Sequence, residues 1–276
     1  AFLNTLSFNQ QLRMQRDYQA NTTPPDSPDG TEFHCWPCGN NSPRIVIATA
    51  GNNTSQIIPA IYANDLNTNG IYNEDEDGLG IPVVLNVKNL LAFLDWAAIR
   101  PMTEFEYEKV SRGTLNPVMY EFSWGSTDYN NNYNVANYGS AAAVNTNVGL
   151  GTASIGTNRL YRAGIAATSA SNRITAGASY YGVSDMTGNV WESCIGGWGV
   201  DYSDFTILNG DGNLYENGQS SENGSTDITT WQASKIIAKG GGANWVGTDW
   251  ISVSARNWVQ FNSYSFFQGS RGVRSY

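Results

Sequence analysis

Histidine is nearly missing from these 276 residues, and His34 stands alone. A three-histidine iron site and a carbonic-anhydrase-type zinc site therefore cannot be assembled within the chain. A Ser-His-Asp triad would have to recruit His34 from a loop-like stretch beside Cys35, a poor setting for one. Cysteine is scarce too. Cys35, Cys38 and Cys194 make an odd number, too few for a full disulfide framework. Cys35 and Cys38 have redox-pair spacing, but the strand and helix that such chemistry needs are not predicted around them. A local disulfide between them, or two free thiols, is the expectation.

Charge is also sparse. Only 14% of residues are charged, and the formal net charge is -9. No basic stripe runs along the chain, so nucleic acid is excluded as a partner, and an anionic membrane is a poor one. An acidic surface does suit divalent cations. There is no long apolar run either. The longest, around Leu90 to Ile99, is broken by Asp95 and is too short for membrane insertion. Residues Ala1 to Gln10 lack a basic start and a long apolar run. A signal peptide is expected to have been removed, or the chain to be a piece of a longer product.

What is present argues for a packed domain. Hydrophobic residues make up 41% and aromatics 12%, enough for a sizeable core. The polar remainder is mostly Asn, Ser, Thr and Gly, a composition common in secreted and surface proteins. Residues 1–44 read as an irregular lead-in. Residues 44–50 and 57–62 read as strands. Leu90, Leu91, Leu94 and Ala97 fall at helical spacing within Val87 to Ala97. A second helix starts at Thr103, where Glu106 three residues on completes a capping box. Residues 114–177 are rich in small polar residues, and long ordered loops are predicted there. The core segments expected after that are 180–192, 236–241, 251–256 and 269–274. The fold class is α+β and loop-rich, with two helices packed on small antiparallel sheets.

Four segments in order resemble the formylglycine-generating enzyme (sulfatase-modifying factor) family. Arg100 to Glu108 is similar to its R-L-P-T-E-A-E-W-E, and Phe122-Ser123-Trp124-Gly125 to its Y-P-W-G. Residues 181–192, Tyr-Gly-Val-Ser-Asp-Met-Thr-Gly-Asn-Val-Trp-Glu, carry the most specific match. The fourth runs from Lys239-Gly240-Gly241 past Arg256 to Gly269-Ser270-Arg271-Gly272-Val273-Arg274. The resemblance implies a C-type-lectin-like domain over residues 45–276. Structural roles are expected for Arg100, Thr103, Glu104, Glu106, Gly188, Asn189, Trp191, Glu192, Gly240, Gly241, Arg256 and Arg274. The three arginines should be buried or half-buried forks on Glu104, Glu192 or carbonyl groups.

The family's oxidase activity depends on two cysteines after the Gly-Gly motif. Residues 243–256 contain none here, and Cys194 lies elsewhere. Hydroxyls cannot replace a thiolate as metal ligand and reactive group. The resemblance therefore implies a scaffold without its chemistry and without a redox metal. It is similar to non-catalytic relatives, among them the variable proteins of diversity-generating retroelements, which display binding residues on their final strands. The matching residues here are Asn244, Trp245, Asp249, Trp250, Asn257, Trp258, Phe261, Asn262, Tyr264, Phe266 and Phe267. Aromatics among Asn and Ser suit recognition surfaces, although several of them can equally be core.

Asp65 to Glu76 fits D-x-[DN]-x-[DN]-G-x5-E in full. Asp65, Asn67 and Asn69, the Ile71 carbonyl and Glu76 are the expected Ca2+ ligands, within an insertion at residues 64–78. Two charged ligands imply modest affinity, about 10⁻⁵–10⁻³ M. The expected function is a non-enzymatic binding or display protein at an extracellular, cell or virion surface, its partner a glycan or a protein. Two alternatives stay open. One is a structural subunit of a filament or coat, packed against neighbouring subunits. The other is an enzyme of the same family using carboxylates such as Asp185, Glu192 or Asp249.

Overall fold

The computed structural model describes residues 1–18, 45–52, 56–78, 80–85, 87–130, 133–147, 149–151, 159–197, 199–202, 209–214, 235–243, 247–256, 259–260 and 268–274. The N-terminal stretch is not irregular throughout. It opens with two helices, α1 (Phe2–Thr5) and α2 (Phe8–Tyr18). Ser7 and Gln10 form a reciprocal capping box at the start of α2. The Gln10 amide donates to the Ser7 hydroxyl at 3.3 Å, and the Ser7 amide donates to the Gln10 carboxamide at 2.9 Å. Leu3, Leu6 and Met14 are buried against Tyr62 and Ala92. Gln11, fully buried, donates to the carbonyls of Leu3 and Ala60 and accepts the Ala60 amide, which ties both helices to the hairpin behind them.

That hairpin is β1 (Ile45–Thr49) with β2 (Ile61–Asn64), antiparallel, with a register shift between Ile47 and Thr49. The expected strand at 57–62 begins later than its apolar residues suggest, and Ile58 makes only an isolated bridge to Asn52. Helix α3 (Val87–Trp96) buries Val87, Leu90, Leu91 and Leu94 against Ile195 and Ile236. Its Asp95 is fully buried and accepts the Gly210 amide at 3.0 Å. Strand β3 (Arg100–Pro101) leads into α4 (Glu104–Arg112), whose Thr103–Glu106 capping box is present as the sequence predicts. Gly113 ends α4, and a Cβ there would strike the Tyr180 ring.

The long loops hold little regular structure beyond the ribbon of β4 (Val135–Ala136) and β5 (Val144–Asn145). The main sheet combines β6 (Trp191–Ile195), β7 (Ile236–Lys239), β8 (Val259–Gln260) and β9 (Gln268–Gly269) in the order β8-β7-β6-β9. Strand β9 runs parallel to β6, and the other two pairings are antiparallel. Residues 251–256, expected as a core segment, follow from the short helix α5 (Thr248–Ile251) and bury Ile251, Val253 and Ala255. Strand β10 (Gly272–Val273) closes on β3. Both faces of β6 and β7 are covered, which is why these strands read as unbroken buried runs. Among the described residues no helix is long and apolar enough to cross a membrane.

Candidate functional site

Two turns set the floor beneath the terminal segment. Gly188 and Asn189 both adopt positive φ, 86° and 64°. The Gly188 amide donates to the Gly240 carbonyl at 2.9 Å, and the Ala243 amide donates to the Asn189 carbonyl at 2.8 Å. The Asn189 side chain is spent on the backbone of Tyr161, so its role is structural. A Cβ on Gly240 would meet the Met186 carbonyl, and one on Gly241 would meet Ile251. Only glycine lets these turns press so closely.

The segment beyond them offers hydroxyls, one carboxylate and apolar bulk. Asp249 is exposed on α5. Trp250 is half-buried, packed against the cluster of Phe122, Trp124 and Ile251. Ser252 and Val253 are buried, and the Val253 amide donates to the Glu121 carbonyl at 2.9 Å. Asn244, Trp245, Asn257, Trp258, Phe261, Asn262, Tyr264, Phe266 and Phe267 lie outside the described residues, as do Cys35 and Cys38. Cys194 is free, fully buried on β6, and burial with the nearby Glu192 carboxylate pushes its thiol well above the ordinary range. A thiol so placed is no nucleophile near neutrality.

An ionic lattice anchors this segment to α4. Arg256 donates to Glu104 at 2.6 Å and to Glu108 at 2.7 Å. Arg112 spans Glu108 and Glu121 and donates to the Ser254 hydroxyl. Lys239 is fully buried, donates to the Ala255 carbonyl at 2.8 Å and sits 3.6 Å from Glu108. Burial lowers its ammonium to about 8, a pull only partly offset by Glu108. Arg100 forks onto Glu106 at 2.8 and 2.9 Å. Burial works to raise Glu106, but Arg100 and the Thr103 amide outweigh it and hold the carboxyl below its usual value.

The expected arginine partners are thus partly redistributed. Arg256 takes Glu104 as predicted. Arg100 takes Glu106, because the capping box already turns that carboxylate toward the start of α4. Glu192 is held by Arg271 at 2.6 Å, while Arg274 is exposed. Arg271 and Arg274 flank the two-residue strand β10 on either side, and only Arg271, on the side of β9, meets Glu192. Trp191 and Glu192 are buried. Burial raises both Asp185 and Glu192, and Arg271 counteracts it in each. Asp185 also accepts the Gly164 amide at 2.7 Å. These carboxylates are engaged in holding strands and loops together.

Sequence reading missed Lys239, Arg271, Arg112, Glu108 and Glu121. A lone Lys ending the buried run Ile236–Ala238 was one available signal, and the Glu108–Arg112 spacing of four on a helix was another. It also missed Met119 and Tyr120, 77% and 50% exposed, on the turn beside Glu121. Tyr120 has φ 60°, a strained value for an aromatic residue, and its turn is clamped where Glu121 accepts both the Val118 amide and Arg112.

In the loop from Asp65 to Asp77, Asp65 and Asn67 both accept the Asn69 amide at 3.1 Å. Asp65 also accepts from Gly70, and the Asn69 carboxamide accepts from Ile71. Side-chain oxygens of Asp65, Asn67 and Asn69 are thus turned toward the loop's own backbone amides. Ile71 and Glu76 are exposed. Asp77, next to Glu76, is buried and accepts the Leu66 and Glu74 amides. Among the described residues no three Asp, Glu, His or Cys side chains gather as a metal group. A cation here would rest largely on neutral oxygens beside Asp65, which fits calcium held weakly.

Residues 64–276 match a protein family described as the sulfatase-modifying factor enzyme 1-like domain. No curated protein is matched.

Proposed function

Since the chain belongs to the sulfatase-modifying factor enzyme 1-like family, we propose that it uses the family's scaffold, in its C-type-lectin-like form, as a non-enzymatic binding and display module outside the cytoplasm. The observation that carries this reading is the make-up of the segment after Gly240-Gly241. Residues 243–256 hold neither cysteine nor histidine, and Cys194, the one cysteine among the described residues, is buried with its thiol pushed upward.

The display surface is the aromatic and Asn-rich stretch 244–268, as in the variable proteins of diversity-generating retroelements. Rigid aromatic area with adaptable amides suits a glycan or protein partner. Calcium in the 65–77 loop stiffens the insertion at the edge of the domain.

The test is binding to glycan arrays and to intact cells by the parent and by a variant with Tyr264, Phe266 and Phe267 changed to Ala. Binding lost in the variant, with the fold retained, supports the display surface. Equal binding by both sinks it, and oxidation of a peptidyl cysteine by the parent sinks the non-enzymatic reading.

A further inference from the structure

A groove of about 480 Å³ opens between the N-terminal helices, the β1–β2 hairpin and α3. It shares no residue with the proposed display surface. One end is an aromatic corner. Phe2 meets Phe93 edge-on with centroids 5.5 Å apart and lies tilted against Trp96 at 5.1 Å. Ile45, Tyr62 and Val83 also line the groove. Asn64, Asn73 and Ser270 supply neutral polar groups. The first two are held in place by each other, with the Asn64 amide donating to the Asn73 side chain and the Asn73 amide to the Asn64 carbonyl. The Ser270 hydroxyl donates to the Ser193 carbonyl at 2.8 Å.

Three properties decide the occupant. The volume falls within the ~300–1,000 Å³ of small-molecule sites and well above the ~150 Å³ that holds benzene. No Asp, Glu, Lys, Arg or His is among the lining residues. The amino group of Ala1 is the one charged group along the groove, so a cation would find nothing there to offset its lost hydration. A peptide would need a row of partners for its backbone, and aromatic and aliphatic side chains supply none. The Phe2–Phe93–Trp96 corner instead offers ring edges and faces to another ring.

We infer that this groove binds a small molecule that bears an aromatic ring and no positive charge, with its ring at the Phe2–Phe93–Trp96 corner and a polar end toward Asn64 and Asn73.

The probe is neutral N-phenyl-1-naphthylamine, titrated into the full chain. Its fluorescence should rise and saturate at one molecule per chain, with Kd on the order of 10 µM. Energy transfer from tryptophan to the probe should fall in Trp96→Phe. Val83→Trp, which fills the groove with an indole, should weaken binding at least about tenfold, with circular dichroism and Tm at parent values. If Val83→Trp does not fold, Ile45→Phe makes the same test from another lining position. The cationic aromatic probe thioflavin T should bind at least about tenfold more weakly than the neutral one. No saturable binding by the folded parent, unchanged binding by the filled variant, or equal binding of both probes would each overturn the inference.

Discussion

Lys239 places its ammonium over the face of Tyr107, 5.3 Å from the ring centroid, while donating to the Ala255 carbonyl. A cation on an aromatic face is stabilised by the ring's charge distribution, yet burial dominates and brings the group from 10.5 down to about 8. Glu108, Glu104, Arg256 and Cys194 are the ionisable neighbours that modify this value.

A pH dependence follows from that shift. Between pH 8 and 10 the unfolded chain keeps a proton on Lys239 that the folded chain has begun to release, so stability rises with pH. Tyrosines turn the slope over above about pH 10. Burial raises Tyr138 to about 12, so the folded form keeps protons there that the unfolded chain has lost. Cys194 opposes the Lys239 effect in the same window, because burial raises its thiol and the unfolded chain loses that proton first. Between pH 7.5 and 9.5 the parent's urea midpoint should therefore climb relative to that of Lys239→Met, and a difference that falls with pH would contradict the assignment.

Glu192 is 1% exposed and Arg271 covers it from a side chain 32% exposed. Arg271→Ala strands a buried carboxylate. The expected cost is about 2–3 kcal/mol, below the ~3–5 of a fully buried pair because the arginine meets water. Adding Glu192→Gln to that variant should recover a large part of the loss, as read from urea denaturation.

The Ser7–Gln10 box predicts that Ser7→Ala costs about 1 kcal/mol. Its effect should be local. Hydrogen exchange should speed up at the first amides of α2 and remain unchanged in β6 and β7. Uniform acceleration would mean that α2 unfolds only with the whole domain.

For the 65–77 loop, calcium at about 1 mM should raise Tm by a few degrees over the chelated protein. Asp65→Ala should abolish the difference. Because Asp77 is the buried carboxylate, Asp77→Asn should lower calcium affinity more than Glu76→Gln does. The reverse order would restore Glu76 as the closing ligand.

Gly241→Ala drives a Cβ into Ile251 at a position with φ 72°. A loss of at least about 2 kcal/mol is expected in thermal melts. Gly70→Ala, where nothing lies within 4 Å, should cost only about 1 kcal/mol, from backbone strain.

Much of the scaffold was legible because local chemistry announces it. The Thr103–Glu106 box, the stripe of Leu90, Leu91 and Leu94, and the tight turn at Gly188 all follow from short-range rules. The lattice was less legible. Arg256 finding Glu104 could be expected once both stood in family motifs, but Lys239 reaching Glu108 depends on how β7 docks on α4, which no spacing encodes. Helices α1 and α2 were missed because Phe2, Leu3 and Leu6 make too short a pattern to stand out beside a polar stretch. The Ser7–Gln10 signature was nonetheless there to be read. Trp250 shows the limit on the surface side. Composition places it among display residues, whereas packing on Phe122 and Trp124 draws it halfway inward.

Strand β9 lies alongside β6, and β10 seals β3, so the residues that complete two sheets are far in sequence from their partners. Closing such wide loops is entropically slow. Until residues 268–273 have been synthesised, β6 lacks its β9 neighbour and β3 lacks β10. A chain cut short before β9 would leave both of those strand edges with unpaired backbone groups.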